Sequence, residues 1–249
     1  MRVAIITPYF SEPDRWIRYC HESVLAQIYS DCTHILVADG APRGFVSVFQ
    51  AQHIVLPKSH GDYGNTPRAI GSFSAIAQGF DAIAYLDADN EYHPKHIETL
   101  VQLHRETGAA VCTSRRSFHH LETGKILAYD HTSDGEQFSD TNCLMLTRAA
   151  FGLVATWVLM DPEDRPIGDS VMWHEITTRG LSKAHTGFYT LRYREPYALL
   201  YELAGIPVPA GARPFENGAP ALARQRRREQ GRELPPFRPE IRILRGGKS

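Results

Sequence analysis

The sequence predicts an α/β domain with a mostly parallel central sheet and helices on both of its faces. Short apolar runs of strand length alternate with segments whose apolar residues recur at helical spacing. That alternation is typical of strand–helix–strand units. The chain of 249 residues is long enough for one such domain. Ligands of these sheets bind where the strands end, so polar strand ends are the first candidates for a site.

The first half of the chain shows the clearer alternation. Its strands end in polar or turn residues, and Gly108 ends its third helix. Strands are predicted at residues 2–7, 33–38, 53–56, 82–86 and 109–114, and helices at 12–25, 66–80 and 94–107.

The second half is more polar and less regular. Strands are predicted at 142–147 and 182–193, a short ribbon at 125–129, helices at 149–159 and 169–179, and loops over 117–140 and 161–168. From about residue 207 the composition shifts to Pro, Gly and Arg, which predicts a C-terminal extension of the domain.

Composition excludes several classes of protein. Lys and Arg number 27 against 28 Asp and Glu, so no net charge points to nucleic acid as a partner. No apolar run reaches membrane-spanning length and the N-terminus lacks a signal-peptide pattern, so we expect no transmembrane segment and a cytoplasmic location. Cys20, Cys32, Cys112 and Cys143 form no C-x-x-C pair, which favours reduced, buried cysteines over zinc or disulfides.

A local cluster of basic residues follows the change in composition. Its members are Arg224, Arg226, Arg227, Arg228 and Arg232. One interpretation is a solvated, partly helical tail, and the other is peripheral contact with an anionic membrane surface or a protein partner.

The prediction of a functional site starts from residues 82–90. Their apolar run ends in Asp87 and Asp89, which are separated by one residue. Two carboxylates at the carboxyl end of a buried strand repel each other unless a cation lies between them. A hard divalent ion such as Mg²⁺ or Mn²⁺, shared with the phosphates of a ligand, fits this pattern.

Five motifs occur in a characteristic order along the chain. They are Ile5-Ile6-Thr7-Pro8-Tyr9, Leu36-Val37-Ala38-Asp39-Gly40, Pro67-Arg68-Ala69-Ile70-Gly71, Leu86-Asp87-Ala88-Asp89, and the helix that follows Gly168-Asp169 and ends at Gly180. In this order, over residues 2–193, the chain resembles the family 2 glycosyltransferases of GT-A fold. Each motif alone is weak evidence, whereas their order and spacing are more specific.

The resemblance implies a single Rossmann-like GT-A domain. Residues 1–114 would form its nucleotide-sugar-binding half, 115–206 its acceptor-binding and catalytic half, and 207–249 the Pro/Arg-rich extension. The implied activity is metal-dependent, inverting transfer of a sugar to a hydroxyl acceptor such as a glycan, in polysaccharide biosynthesis. The donor would be a nucleotide-diphosphate sugar, with UDP favoured, and the cofactor Mn²⁺ or Mg²⁺. A homo-oligomer is left open.

The resemblance also assigns residues to the donor and the metal. Thr7, Pro8, Tyr9 and Asp39 would line the nucleoside pocket, Arg68 would pair with phosphate, and Ala88 would lie against the donor. Asp87 and Asp89 would hold the metal, with His185 as a third ligand. The structural alternatives are a turn residue for Asp39 and a surface ion pair for Arg68.

Asp169 is the candidate general base in this comparison. An inverting transfer needs a carboxylate that takes the proton of the attacking hydroxyl. Capping of the predicted helix at 169–179 is the alternative role for this residue.

Three departures from the family pattern keep other functions open. Ala38 replaces the first acid of a pair, Ala69 replaces an Asn, and Gly168 replaces a Glu. One alternative is therefore a nucleotide-sugar or glycan-binding module without catalysis. A sugar-1-phosphate nucleotidyltransferase is the other, although residues 7–11 lack the Gly-rich, Arg-containing loop that it needs.

Overall fold

The computed structural model describes residues 1–214, 219–234 and 241–243. Its strands are Val3–Tyr9 (β1), Cys32–Ala38 (β2), Gln52–Val55 (β3), Ala82–Tyr85 (β4), Glu91–Tyr92 (β5), Val111–His120 (β6), Ile126–Asp130 (β7), Leu144–Thr147 (β8), Lys183–Glu195 (β9) and Ile241–Ile243 (β10). Its α-helices are Asp14–Leu25 (α1), Asn65–Ala77 (α2), His96–Thr107 (α3), Thr156–Leu159 (α4), Gly168–Thr178 (α5), Ala198–Ala204 (α6) and Ala219–Glu229 (α7).

One mixed sheet organises the domain, in the order β10-β7-β6-β8-β4-β1-β2-β3. The strands β3, β2, β1 and β4 run parallel to their neighbours in that group, which confirms the prediction for the first half. β8 enters antiparallel between β4 and β6, and β7 is antiparallel to β6. β9 lies outside this path and pairs in parallel with β6 and antiparallel with β5. The central position of β4 agrees with its apolar sequence.

Both faces of the sheet are covered by helices, as predicted. Side chains of β1 alternate between two apolar clusters: Ala4 and Ile6 face α2, α4 and α5, whereas Val3 and Ile5 face α1 and α3. This period of two is what a strand buried on both faces requires.

Gly71 allows α2 to pack closely on the sheet. A Cβ atom at this position would lie 2.7 Å from Ile6 Cγ2 and 3.0 Å from Val37 Cγ2. We expect Gly71→Ala to destabilise the fold by about 1–3 kcal/mol through overpacking, measured by denaturant unfolding. Gly44→Ala is the matched control, because a Cβ there meets no atom within 4 Å. Equal stability of the two variants would contradict this account.

The second half departs from the predicted elements. The expected helix at 149–159 is a 3₁₀ helix, Arg148–Leu153, followed by the short α4. The expected loop at 161–168 is a second 3₁₀ helix, Pro162–Ile167, that runs directly into α5. β6 continues to His120 because β9 pairs with it along its whole length.

The C-terminal extension is only partly within the described residues, since 215–218, 235–240 and 244–249 lie outside them. Its basic cluster is only partly a solvated tail: Arg227 is buried in α7, whereas Arg226, Arg228 and Arg232 are exposed. Ion pairs join Arg226 to Glu163, Arg227 and Arg232 to Asp164, and Arg228 to Glu233. Peripheral membrane contact through these arginines stays a prediction.

Two further predictions concern the cysteines and membrane-spanning helices. Cys20, Cys32, Cys112 and Cys143 are all free thiols, and all but the half-buried Cys32 are buried, as expected. Within the described residues, no helix has the length and apolar character needed to cross a bilayer.

Candidate active site

A cavity of about 360 Å³ opens where β1, β2 and β4 end. It is lined by Pro8, Tyr9, Phe10, Glu12, Asp39, Ser59, Gly61, Asp62, Tyr63, Gly64, Pro67, Arg68, Asp87, Ala88, Asp89, Tyr193, Pro196, Tyr197 and Arg213. Most of the residues assigned to the donor and metal from the sequence therefore meet in one place. Five lining side chains are acidic and two are arginines, so the cavity has an excess of negative charge.

Asp87 is held on both sides by neighbouring side chains. Arg68 of α2 donates to its Oδ1, and the amide of Asn142 donates to its Oδ2 at 2.9 Å. The Asn142 carbonyl oxygen in turn accepts from the Asp87 backbone N–H at 2.6 Å. Arg68 is only 8% exposed, so this is an internal ion pair and not a surface one. Asp87 is thus fixed in direction, with each carboxylate oxygen accepting one hydrogen bond.

Asp89 is in a different situation. It is half-buried in the cavity wall and forms no ion pair within the described residues. Burial, together with the carboxylates of Asp87 and Glu12, raises the pKa of Asp89 to about 7. The protein therefore compensates the charged form of Asp89 only in part. A cation in the cavity would supply the remaining compensation.

Asp39 holds the loop that follows β3. Its carboxylate accepts from the His60 backbone N–H at 3.0 Å, from the His60 ring at 2.6 Å and from Ser59 Oγ at 3.1 Å. Gly40 has φ +77°, and a Cβ there would lie 2.2 Å from Ser59 N, so the loop can cross only at a glycine. Asp39 lines the cavity, and the predicted contact with a nucleoside stays a prediction.

The first motif divides between the cavity and the core. Pro8 and Tyr9 line the cavity, and the Tyr9 hydroxyl bonds His53 Nε2 at 2.7 Å. Thr7 is fully buried, and its hydroxyl bonds His34 Nε2 at 2.8 Å. The structure therefore does not bring Thr7 to the cavity, because its side chain projects from β1 into the core.

Arg213 is a cavity residue that sequence reasoning missed. Its backbone N–H donates to the Pro196 carbonyl at 2.7 Å, and its carbonyl accepts from Ala198 N at 2.8 Å. These two bonds fix the C-terminal extension beside the end of β9. The exposed side chain of Arg213 adds positive charge that lowers the pKa of Asp89, against the larger effect of burial. Nothing in the local sequence marks it, since the contact depends on where α6 returns the chain.

Asp169 lies in the first turn of α5, where the sequence placed it. Its Oδ1 accepts from the backbone N–H of the next residue, Ser170, at 2.6 Å, and no side chain of the described residues makes a capping hydrogen bond at the start of α5. The preceding Gly168 is packed against α2: a Cβ there would lie 2.8 Å from Asn65 Oδ1. Asn65 also donates to the Arg165 carbonyl at 3.2 Å and lies 3.5 Å from Arg68 Nη1. The start of α5 is therefore joined to the wall of the cavity through Asn65.

His185 does not line the cavity. Its Nδ1 is 2.8 Å from Thr113 Oγ1, and its Nε2 accepts from Arg115 Nε at 3.2 Å. Burial and the Arg115 charge lower its pKa. No group of three His, Cys, Asp or Glu side chains in the described part of the chain is arranged to hold a metal ion. His185 as a third metal ligand stays a prediction, with both ring nitrogens already engaged.

A buried polar chain extends from Asp87 away from the cavity. Asp140 Oδ1 accepts from Asn142 Nδ2 at 2.9 Å, and Arg116 joins Asp140 to Asp130. Glu195 lies near this chain at the end of β9, is 5% exposed, and accepts from Tyr197 N at 2.9 Å. Burial raises the pKa of Glu195 to about 7.

The raised pKa of Glu195 predicts a pH-dependent loss of stability. The folded protein retains a proton that the unfolded chain, with a carboxyl pKa near 4.5, releases earlier. Stability therefore falls as pH rises from about 4.5 to 7, by about 3 kcal/mol in total. We expect Glu195→Gln to match the wild type at low pH and to exceed its stability at pH about 8. Denaturant unfolding at several pH values measures this, and a parallel pH dependence of the two proteins would contradict it.

Comparisons with known proteins agree with the geometry. The sequence model described as glycosyl transferase family 2 matches residues 4–153. No curated protein matches the sequence. The crystal structure of S. aureus TarS 1-349 in complex with UDP aligns with a TM-score of 0.60 at 12% identity, covering 82% of this chain and 63% of that one. Its complex with UDP-GlcNAc aligns with a TM-score of 0.57 at 11% identity, covering 82% and 64%.

The structural matches and the match to the family model support different conclusions. At such identity the TarS structures show the GT-A-like fold alone, and the chain spans less than two thirds of their length. The matched residues 4–153 include Asp39, Arg68, Asp87 and Asp89, and they make up more than half of the chain. The predicted family is thereby confirmed: the chain belongs to glycosyl transferase family 2.

Proposed function

We propose that this chain is a glycosyltransferase, metal-dependent and inverting, that transfers a sugar from a UDP-sugar to a hydroxyl acceptor. The observation that carries the proposal is the acidic cavity at the end of β4, where Asp87 and Asp89 meet two arginines. The complexes of TarS with UDP and UDP-GlcNAc support UDP as the nucleotide. A glycan acceptor, a role in polysaccharide biosynthesis and a cytoplasmic location belong to the same proposal.

The charge of the cavity argues for a cation. A diphosphate entering beside Glu12, Asp39, Asp62, Asp87 and Asp89 would meet more negative than positive side chains. Coulombic repulsion at such distances opposes binding unless a positive ion is bound with it.

The residues present fit a hard divalent ion. Asp87 accepts one hydrogen bond on each oxygen, from Arg68 and Asn142, whereas Asp89 makes no ion pair within the described residues and is the carboxylate more open to a cation. Mg²⁺ and Mn²⁺ accept one or two carboxylates and take their remaining ligands from phosphate and water. When bound, the ion would offset the charge of the departing diphosphate.

The arginines of the cavity would act on the same diphosphate. Arg68, which lines the cavity, also donates to the Tyr63 carbonyl at 2.8 Å, and this bond helps to orient its guanidinium. Arg213 faces Asp89 from the C-terminal extension. A guanidinium suits phosphate because it presents parallel N–H donors.

Asp169 would serve as the general base for the acceptor hydroxyl. A carboxylate in this role must reach the attacking oxygen and must be ionised at working pH. One of its oxygens accepts from Ser170, so the other is left to accept the proton.

Binding and turnover of UDP-GlcNAc test the proposal. We expect UDP to bind in calorimetry with Mn²⁺ and to bind much more weakly after chelation with EDTA. We also expect slow release of UDP from UDP-GlcNAc, with water as the acceptor. Binding without any hydrolysis or transfer would favour the alternative of a binding module, and binding that is indifferent to Mn²⁺ would refute the metal dependence.

A further inference from the structure

We propose that the C-terminal helix α7 is a clasp that fixes the start of α5, with Arg227 as a positioning residue for Asp169. The inference rests on the proposed function, because the role of Asp169 as base is part of it. It gives the basic helix α7 a role in the reaction, although α7 lies outside residues 4–153 that the family model matches.

The clasp is centred on a buried ion pair. Arg227 of α7 is 6% exposed and Asp164 of the 3₁₀ helix Pro162–Ile167 is 3% exposed, and the two side chains are in direct contact. Arg227 Nε also donates to the Arg232 carbonyl at 3.0 Å. Arg232 in turn donates to Asp164 at 3.1 Å and to Asp161 at 2.6 Å. Asp164 is thus held by two guanidinium groups.

The clasped segment leads directly to the candidate base. The 3₁₀ helix ends at Ile167, and α5 begins at Gly168 with Asp169 in its first turn. Arg224 of α7 donates to Ser170 Oγ at 3.0 Å, and the Ser170 backbone N–H donates to Asp169. The helix therefore contacts this region both before and after Asp169.

The opposite side of the segment is held by the donor-binding half. Asn65 donates to the Arg165 carbonyl and packs against Gly168. The start of α5 lies between Asn65 on one side and α7 on the other. If α7 is detached, the start of α5 keeps its contact with Asn65 and the buried side chains of Ile167 and Val171, but it loses the ion pair at Asp164 and the bond from Arg224 to Ser170.

The chemistry of the pair indicates positioning more than stability. A buried ion pair is a poor way to stabilise a fold, because desolvation cancels much of its attraction and an apolar pair of similar size serves as well. Its directional hydrogen bonds do fix the position of α7 relative to the 3₁₀ helix Pro162–Ile167. A base displaced by about 1 Å loses rate on the order of 10²-fold without loss of substrate affinity.

The test compares two arginines of α7. Arg227→Met and Asp164→Asn each disrupt the buried pair, whereas Arg226→Met disrupts the half-exposed pair with Glu163 and serves as the matched control. UDP release from UDP-GlcNAc in Mn²⁺ gives kcat and KM, and calorimetry gives the affinity for UDP. Hydrogen exchange over residues 161–170 reports whether the clasped segment loosens.

We expect Arg227→Met and Asp164→Asn to lower kcat on the order of 10²-fold, with KM and UDP affinity changed by less than about twofold. The double variant should be no slower than either single one, since both act through one pair. Hydrogen exchange should rise at 161–170 in these variants and not in Arg226→Met. Unchanged kcat, or losses of kcat and UDP affinity in proportion, would overturn the proposal.

The same assay separates this inference from the proposed function. If Asp169→Asn retains turnover, the role of Asp169 fails and the clasp has no base to position. If Asp169→Asn is inactive while Arg227→Met is fully active, the base stands and the clasp is refuted.

Discussion

Asp169→Asn is expected to lower turnover by about 10²- to 10⁴-fold, the range that general acid–base groups contribute. The substitution keeps the size of the side chain and leaves an oxygen that can accept from the Ser170 backbone N–H. The negative charge is removed, and with it the capacity to take a proton. UDP binding in the presence of Mn²⁺ should therefore remain at the wild-type level in calorimetry.

Glu175→Gln is the matched control for this substitution. Glu175 is on the same helix and pairs with Arg179 one turn later at the surface, so its neutralisation should leave turnover unchanged. Retained turnover in Asp169→Asn, measured as UDP release from UDP-GlcNAc, would show that another group takes the proton.

Asp89→Ala is expected to abolish Mn²⁺-dependent binding of UDP without unfolding the protein. Asp89 makes no ion pair within the described residues, and its carboxylate lies close to those of Asp87 and Glu12. Removal of this like charge should leave the melting temperature equal to that of the wild type or raise it. Calorimetry of UDP with Mn²⁺ and a thermal melt without ligand measure the two effects.

Asp62→Ala gives the opposite pattern and is the control. Asp62 lines the same cavity, but its Oδ2 accepts from Thr66 N at 2.8 Å and so caps α2. This variant should melt at a lower temperature and still bind UDP with Mn²⁺. If Asp89→Ala keeps its Mn²⁺-dependent binding, Asp89 is not the metal ligand.

Some parts of the site could be located from the local sequence alone. β1, β2 and β4 are buried on both faces, so their continuous apolar runs and polar ends locate Pro8, Asp39 and Asp87 at one edge of the sheet. The two ends of α5 were located by Asp169 near its start and by Gly180 just past its end. These signals depend on a few neighbouring residues and survive without knowledge of the tertiary structure.

Other contacts depend on how distant segments meet. The direction of Thr7 follows from which face of β1 its position occupies, and a fully buried strand gives no alternation from which to read this. The surroundings of His185 depend on register shifts between β6 and β9. Arg213 reaches the cavity only because α6 turns the chain back towards Pro196. None of these has a local signal.

The sequence did contain a signal for the internal ion pairs of the arginine cluster. The signal is the charge of two distant segments and not the spacing of residues within one. The acids at 161, 163 and 164 and the arginines at 226, 227 and 232 are complementary in number and sign. Such complementarity between two distant charged segments predicts an internal contact as readily as an external partner, and burial decides between them.

The contact between Asn65 and Gly168 limits which residue can stand at position 168. The first carbon of any side chain there would lie 2.8 Å from Asn65 Oδ1, so the Asn65 amide would have to move. That amide also donates to the Arg165 carbonyl at 3.2 Å and lies 3.5 Å from Arg68 Nη1. A side chain at 168 would therefore disturb the surroundings of Arg68 as well as the start of α5.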